Sequence, residues 1–280
     1  MFLDEAGRTR DDILVYREPS GEGFLVVVNA GNRERDLELM RRVAADFSDL
    51  SIVDRTDELA MIALQGPQSE RIAQQVTDVD LGAMKYYAWD RGSVLGVPAA
   101  VSRTGYTGED GFEFYLPQAD ALRTWNRLLE VGESDGLAAC GLGARDILRL
   151  EAGMPLYGHE IDETTTPLDA GLDFGVKFTH DFIGRAALEE ILAAGGPARR
   201  LVGLETASKR VPRQGYEIVH DGVKVGAVCS GGASPVRGCN IATAYVPKEL
   251  AEPGTKLGFV VRDRSEDAVV VPLPFYRRSR

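Results

Sequence analysis

The stretch DDILVYREPSGEGFLVVVNAGNRERDLELMRRVAADF, residues 11–47, decides the fold class. Its two apolar runs, DDILVYR and FLVVVNA, flank the glycine-containing EPSGEG and read as antiparallel strands joined by a turn. Leu37, Leu39, Met40, Val43, Ala44 and Phe47 then recur at near-helical spacing, so a helix is expected over 32–47, with Asn32 or Gly31 placed to cap it. The pattern repeats. SIVDRT (51–56) and LAMIALQG (59–66) read as two further strands, and Gly66-Pro67 opens a helix running to about Val76 with proline in its first turn. Hairpins alternating with helices predict an α+β domain of antiparallel sheets, because a doubly wound fold would set single strands between helices.

Strand signals return at VPAAVSR (97–103) and FEFYLP (112–117), separated by the glycine-rich segment RTGYTGEDG. A helix is expected over 118–131 with Leu122, Trp125, Leu128 and Leu129 as its buried stripe, and another over 142–152, enclosed by Gly141 and Gly153. Beyond PARR (197–200) the helical signal ends. RLVGLET, YEIVHDGVKVGAVCS, NIATAYVP, KLGFVVR and AVVVPLP are short β-type runs parted by turns, the sign of a small barrel or sandwich. Asp221-Gly222 reads as a type I′ hairpin turn, which needs positive φ at both positions. The expected boundary lies near residue 196, giving an α+β region of two lobes over 1–196 and a β-rich domain over 197–280.

The composition limits the chemistry. With 280 residues, 44% apolar and 27% charged, the chain can bury a large core without staples. No stretch approaches the apolar length of a membrane helix, and the start MFLDEAGRTRDD lacks the basic and apolar regions of a secretory signal, so a cytoplasmic location is expected. Cys140, Cys229 and Cys239 form no CxxC pair, and His159, His180 and His220 are scattered, which disfavours disulfide scaffolding and a zinc site. A net charge of −11 repels a phosphate backbone, and the basic tail YRRSR reads as a solvated terminus rather than a nucleic-acid contact.

Several residues nevertheless invite a ligand. Alternation along Phe112, Glu113 and Phe114 sets Glu113 on the opposite face from the aromatics. With those aromatics in the core, Glu113 faces either solvent or a cavity, where a carboxylate accepts paired N–H donors from a planar heterocycle such as a pterin or guanine. Gly105, Gly108 and Gly111 permit tight turns or close approach to a ligand, and without a GxxxxGK[ST] pattern they are not a P-loop. GLGARDILRLEAG places Arg145 and Arg149 four apart on one helix face, with Asp146 as a partner for Arg149. Such arginines commonly decorate a solvated face, but Arg145 in the first turn also suits a carboxylate or phosphate. Of the adjacent Asp11 and Asp12, one should point inward, to orient or deprotonate an amine or to cap a turn. Asn29 ends a strand, where it caps the next helix or touches a ligand. Glu160, Asp162 and Glu163 in HEIDET read as capping and solvating a loop before Pro167 rather than as a metal cluster.

Taken in order, RTGYTGEDGFEFYLP, CGLGARDILRLEAGMPLYGHEIDETTTPLDAGLDFGVKF and DFIGRAAL resemble the T-protein (aminomethyltransferase) of the glycine cleavage system. The likeness extends through LVGLET and SGGASP to the end of the chain, and back through LQGP, VVVNA and DDILVY. It implies a cloverleaf-like arrangement of α+β folate-binding lobes followed by a C-terminal β-barrel. It also implies transfer of a methylene group from the aminomethyl-lipoyl arm of the H-protein to tetrahydrofolate, with no bound metal and with neither nucleic acid nor membrane as partner. On the family's motifs, the first aspartate of the DD pair falls on Asp11, the pocket glutamate on Glu113 and the GLxARD arginine on Arg145, with Tyr106 and Asn29 as further folate contacts. A related folate-dependent demethylase and an inactive, truncated folate-binding paralogue share these features, and PLYGHEIDETTTPLDAGL favours the T-protein. Two departures stand out. The family's GG-x-x-DD is replaced by Gly7-Arg8-Thr9-Arg10-Asp11, and the family's N-terminal segment with its DVSHM-like motif is not represented in the chain.

Overall fold

The structure is a computed structural model that describes residues 1–278; Ser279 and Arg280, the end of the tail read as a solvated terminus, lie outside the described residues. Two compact units make up the chain, one of residues 14–145 and one of residues 1–13 together with the chain from 146 onward. The second unit opens with β1 (Phe2–Leu3) and β2 (Thr9–Asp11), an antiparallel pair.

In the unit 14–145, β3 (Leu14–Arg17) and β4 (Phe24–Val27) form the expected hairpin, in register from Leu14 opposite Val27 to Arg17 opposite Phe24. Helix α1 (Arg33–Ala44) follows; Asn32 stands at its N-cap without a side-chain capping bond. SIVDRT is not a strand. Asp54 instead takes two hydrogen bonds from the Arg33 guanidinium, at 2.8 and 3.0 Å, and caps the amide of Thr56, so polar side chains fix this segment as coil.

A four-stranded antiparallel sheet follows, built from β5 (Leu59–Gln65), β6 (Trp89–Val94), β7 (Val97–Ser102) and β8 (Gly111–Pro117) in the order β5-β8-β7-β6, with α2 (Ser69–Ala73) and α3 (Ala121–Gly132) between and after the strands. Strand alternation sorts β8 cleanly. Phe112, Phe114 and Leu116 are fully buried with Ile62, Leu64 and Val101 in the main core, under Ile72 of α2 and Leu128 of α3. Burying each such aromatic removes enough apolar surface from water to contribute about 1.5–3 kcal/mol. On the opposite face Tyr115 and Ala100 pack under Tyr16 of the hairpin, with Leu14, Leu25, Val27 and Trp89 around them. The hairpin is held there by the Trp89 indole N–H, which donates to the Arg17 carbonyl at 2.6 Å, and by an ion pair of Arg91 with Glu18.

Half of the stripe expected on α3 is in place, with Leu128 buried and Leu129 half-buried, but Leu122 is 71% exposed and Trp125 40%, and Thr124 and Gly132 are buried instead. Small residues flank Leu128 on the packed face, and a Cβ on Gly132 would stand 2.7 Å from Leu137, so close approach decided the face rather than side-chain size.

The other unit resumes within α4 (Leu142–Glu151), continues through α5 (Arg185–Ala193), and ends in a closed six-stranded antiparallel barrel. Its strands are β9 (Arg199–Thr206), β10 (Glu217–His220), β11 (Val223–Ser234), β12 (Cys239–Pro247), β13 (Lys256–Val261) and β14 (Arg264–Val271), ordered β10-β11-β12-β9-β14-β13. Closure abolishes free sheet edges. Leu204, Ile218, Ala242, Phe259 and Val270 fill the interior. Asp221 and Gly222, with φ of 50° and 77°, make the type I′ turn that their sequence predicts.

No helix among the described residues is long and apolar enough to cross a membrane. Cys229 is buried, and desolvation pushes its thiol up to about 12, while Cys140 is exposed. At pH 8 an alkylating reagent is therefore expected to modify Cys140 readily and Cys229 only after denaturation, because the thiolate is the reactive form. Mass mapping of labelled peptides would read this directly; rapid native labelling of Cys229 would contradict the burial.

Candidate functional site

Glu113 lies near the start of β8, directly opposite Ser102 of β7 and Ala63 of β5. It is 6% exposed, on the sheet face away from Phe112 and Phe114. Of the two sequence readings, solvent is thereby ruled out. Its Oε2 accepts hydrogen bonds from Thr104 Oγ1 at 2.7 Å and from the Tyr115 hydroxyl at 2.9 Å. Thr104 in turn meets Ser102 Oγ at 2.6 Å and the Tyr16 hydroxyl at 2.9 Å. Burial first, and the neighbouring Glu113 charge second, hold the Tyr115 phenol well above its ordinary range, so it stays a donor at neutral pH. Among the described residues no lysine or arginine pairs with Glu113, and Oε1 accepts no hydrogen bond. A buried carboxylate served by neutral hydroxyls alone is suited to a donor-rich ligand.

The glycines next to it serve the protein itself. A Cβ on Gly105 or on Gly111 would overlap the Gln65 side chain, whose amide reaches the Thr104 carbonyl at 3.1 Å. Gly108, at φ 77°, supplies the turn between them. The loop thereby presents Tyr106, and the Arg145 guanidinium lies over its ring, 4.9 Å from the centroid. Two sequence-named residues thus meet. Arg145 is exposed in the first turn of α4. Asn29 is half-buried and precedes a 3-10 turn (Ala30–Asn32) to which its side chain gives no capping bond.

Asp11 sits in the other unit, fully buried on β2 opposite Phe2, while Asp12 is half-buried, the inward and outward pair that adjacency predicts. Thr9, two residues earlier on the same strand, is also buried, and its amide donates to the Thr165 carbonyl. In the departure Gly7-Arg8-Thr9-Arg10, Gly7 keeps a positive φ of 74° and packs against Leu188 of α5, where a Cβ would stand 2.7 Å from Cδ2.

The reading of HEIDET needs correction. Asp162 does cap its loop, accepting from Thr164, but Glu160 is buried rather than solvated. Its Oε2 takes Arg149 Nη1 at 2.8 Å and the Leu156 amide at 2.9 Å, and Thr243 of β12 donates to Oε1. Arg149 also reaches Asp146 at 2.8 Å, the partner its spacing predicts, and Ser230 of β11 at 2.7 Å. No group of three or more His, Cys, Asp or Glu among the described residues is arranged to hold a metal ion. Sequence reasoning passed over Tyr16, Ser102, Thr104 and Tyr115. The i+2 spacing of Tyr115 from Glu113 on one strand was the available signal, whereas Tyr16 and Ser102 reach the site only through tertiary pairing.

The family model described as GCVT N-terminal domain matches residues 1–180, and that described as glycine cleavage T-protein C-terminal barrel domain matches residues 199–277. An aminomethyltransferase of Streptomyces avermitilis is 49% identical over 285 residues, spanning 100% of this chain and 76% of the relative. One from Bacillus subtilis is 42% identical over 275 residues, spanning 97% and 75%. The crystal structure of glycine cleavage system aminomethyltransferase T from Bartonella henselae superposes with a TM-score of 0.88 at 32% identity, covering 98% of this chain and 74% of that one. The class is therefore that of a transferase, with the antiparallel α+β region and closed barrel expected from the sequence. The chain belongs to the glycine cleavage T-protein family of aminomethyltransferases.

Proposed function

We propose that the chain transfers the methylene group of the aminomethyl-lipoyl arm of the glycine cleavage H-protein to tetrahydrofolate, yielding 5,10-methylenetetrahydrofolate and ammonia and leaving the arm as its dithiol. The observation that carries this reading is Glu113, a buried carboxylate with one oxygen occupied by hydroxyls and no cationic partner among the described residues. The N–H edge of a reduced pterin is the ligand group that such an oxygen would accept. Tyr106 with Arg145 over its ring offers a face and a cation for the rest of a folate, whose glutamate tail is anionic. Asn29 completes the proposed contacts.

Asp11 is assigned to the chemistry. As the carbon–nitrogen bond to ammonia breaks, the sulfur-bound carbon takes on thionium-like positive character, and a fixed carboxylate nearby stabilises it. One folate nitrogen then bonds to that carbon and the second closes on it as the carbon–sulfur bond breaks, the two N–H protons going to the departing ammonia and to the thiolate of the arm. Most of the rate is to come from holding the two reactants together.

We further propose a domain division at 1–196 and 197–280, supported by the changeover between the two family models between residues 180 and 199. A cytoplasmic location and the absence of nucleic-acid partners are supported by the unpaired cysteines and the net charge of −11.

The test is calorimetric titration of tetrahydrofolate. Glu113→Ala is expected to weaken binding by about 1.5–3 kcal/mol, the contribution of hydrogen bonds to a charged group. An affinity equal to that of the parent chain would remove Glu113 from the pocket.

A further inference from the structure

We propose that Thr104 and Tyr115 are positioning residues for the Glu113 carboxylate: by occupying Oε2 with two O–H donors, they turn Oε1 alone toward the ligand. The inference rests on the reading of Glu113 as the folate-binding carboxylate.

Proton bookkeeping fixes the direction of the network. An ionised carboxylate only accepts, so the single protons of Thr104 and Tyr115 must both point at Oε2. Having spent its proton, Thr104 Oγ1 can only accept from Ser102 at 2.6 Å and from Tyr16 at 2.9 Å. Four hydroxyls, three from the strands β3, β7 and β8 and one from the loop after β7, therefore converge, directly or through Thr104, on one oxygen atom. Each donor in such a chain polarises the next, and all five residues are buried, where these bonds are stronger than in water.

A glutamate side chain has three rotatable bonds, and holding one oxygen at two points removes most of that freedom before a ligand arrives. Oε1 then needs no reorganisation to meet an N–H edge. Tyr16 is locked from outside the sheet, against Trp89 with centroids 5.6 Å apart and edge-on to Tyr115 at 6.2 Å. Folding of the hairpin onto the sheet is thereby coupled to the orientation of Glu113.

Thr104→Val keeps the shape of the side chain and removes its hydroxyl; Thr104→Ser restores it. Tetrahydrofolate affinity, followed by calorimetry, is expected to fall about 10-fold in Thr104→Val and in Tyr115→Phe, and to stay within about twofold of the parent in Thr104→Ser. The loss should appear in KM for tetrahydrofolate, with kcat at saturating folate little changed, as expected when binding alone is affected. In a Glu113→Ala background, Thr104→Val should cost nothing more, because its effect passes through the missing carboxylate.

Parent-like affinity in Thr104→Val and Tyr115→Phe, alongside weakened binding in Glu113→Ala, would overturn the positioning role and leave the folate reading standing. Equal losses in Thr104→Val and Thr104→Ser, or a loss that persists without Glu113, would mark a packing role and also overturn it. Undiminished binding in Glu113→Ala would remove the folate reading and this inference together. Tyr115→Phe, which keeps the ring packing, carries the test if Thr104→Val fails to fold.

Discussion

Replacing Asp11 by asparagine is expected to slow methylene transfer by about 10²- to 10³-fold, the range found when one preorganised electrostatic group is lost from a transition state. Tetrahydrofolate affinity should stay within about threefold. The substitution is nearly isosteric and leaves an oxygen acceptor, so β2 and its pairing with β1 should persist. What disappears is the negative charge, at a position fully shielded from solvent. Since a charge interaction strengthens in a dry site, it acts most on the cationic carbon and least on the resting complex. Single-turnover rates with saturating folate isolate this step, and a mutant that turns over like the parent would take Asp11 out of the chemistry.

The second large effect concerns stability. Glu160→Ala is expected to lower the free energy of unfolding by about 3–5 kcal/mol, the usual cost of removing one partner of a buried ion pair. Arg149 is only 1% exposed and would keep its charge beside Asp146, itself half exposed. Thr243 Oγ1 and the Leu156 amide would lose their acceptor as well. Truncating both charged residues, Arg149→Met with Glu160→Ala, should cost less than the sum of the single changes, since no buried cation that has lost the Glu160 carboxylate is then left. Urea titrations with a common slope would read these differences. A loss under 1 kcal/mol in Glu160→Ala would mean that the pair is solvated. Through this pair and Ser230, α4 is tied to β11 and β12 of the barrel, and the same helix carries Arg145 in its first turn.

Local chemistry made much of the fold legible. The Asp221-Gly222 turn, the 11–30 hairpin and the split of Phe112 and Phe114 from Glu113 all depend on residues within a few positions of one another. Errors arose where distant partners decided the outcome. SIVDRT has strand composition, but Arg33 of α1 holds Asp54 in a turn; WDRGSV, with its charges and glycine, gave no strand signal and yet forms β6 by pairing with β7. On α3 the large apolar Leu122 and Trp125 lost to Thr124 and Gly132, whose small size lets the helix approach. Glu160 looked like a loop acid because its partners, Arg149 and Thr243, lie 11 and 83 residues away.

Strand alternation turned Glu113 from its aromatic neighbours, as the structure has it, while the proposed roles of Glu113, Arg145 and Asp11 rest on the motifs of the resemblance. Of the hydroxyls around Glu113, Tyr115 stands two residues away on the same strand, whereas Tyr16 and Ser102, which meet Thr104, are 86 residues apart and come together only when the hairpin folds onto the sheet.

The most direct test of the account is an experimental structure of the chain with tetrahydrofolate bound. It should place the N–H donors of the pterin edge about 2.7–3.1 Å from Glu113 Oε1, with Thr104 and Tyr115 still on Oε2. A pterin bound elsewhere, or a Glu113 carboxylate facing away from it, would contradict the central claim.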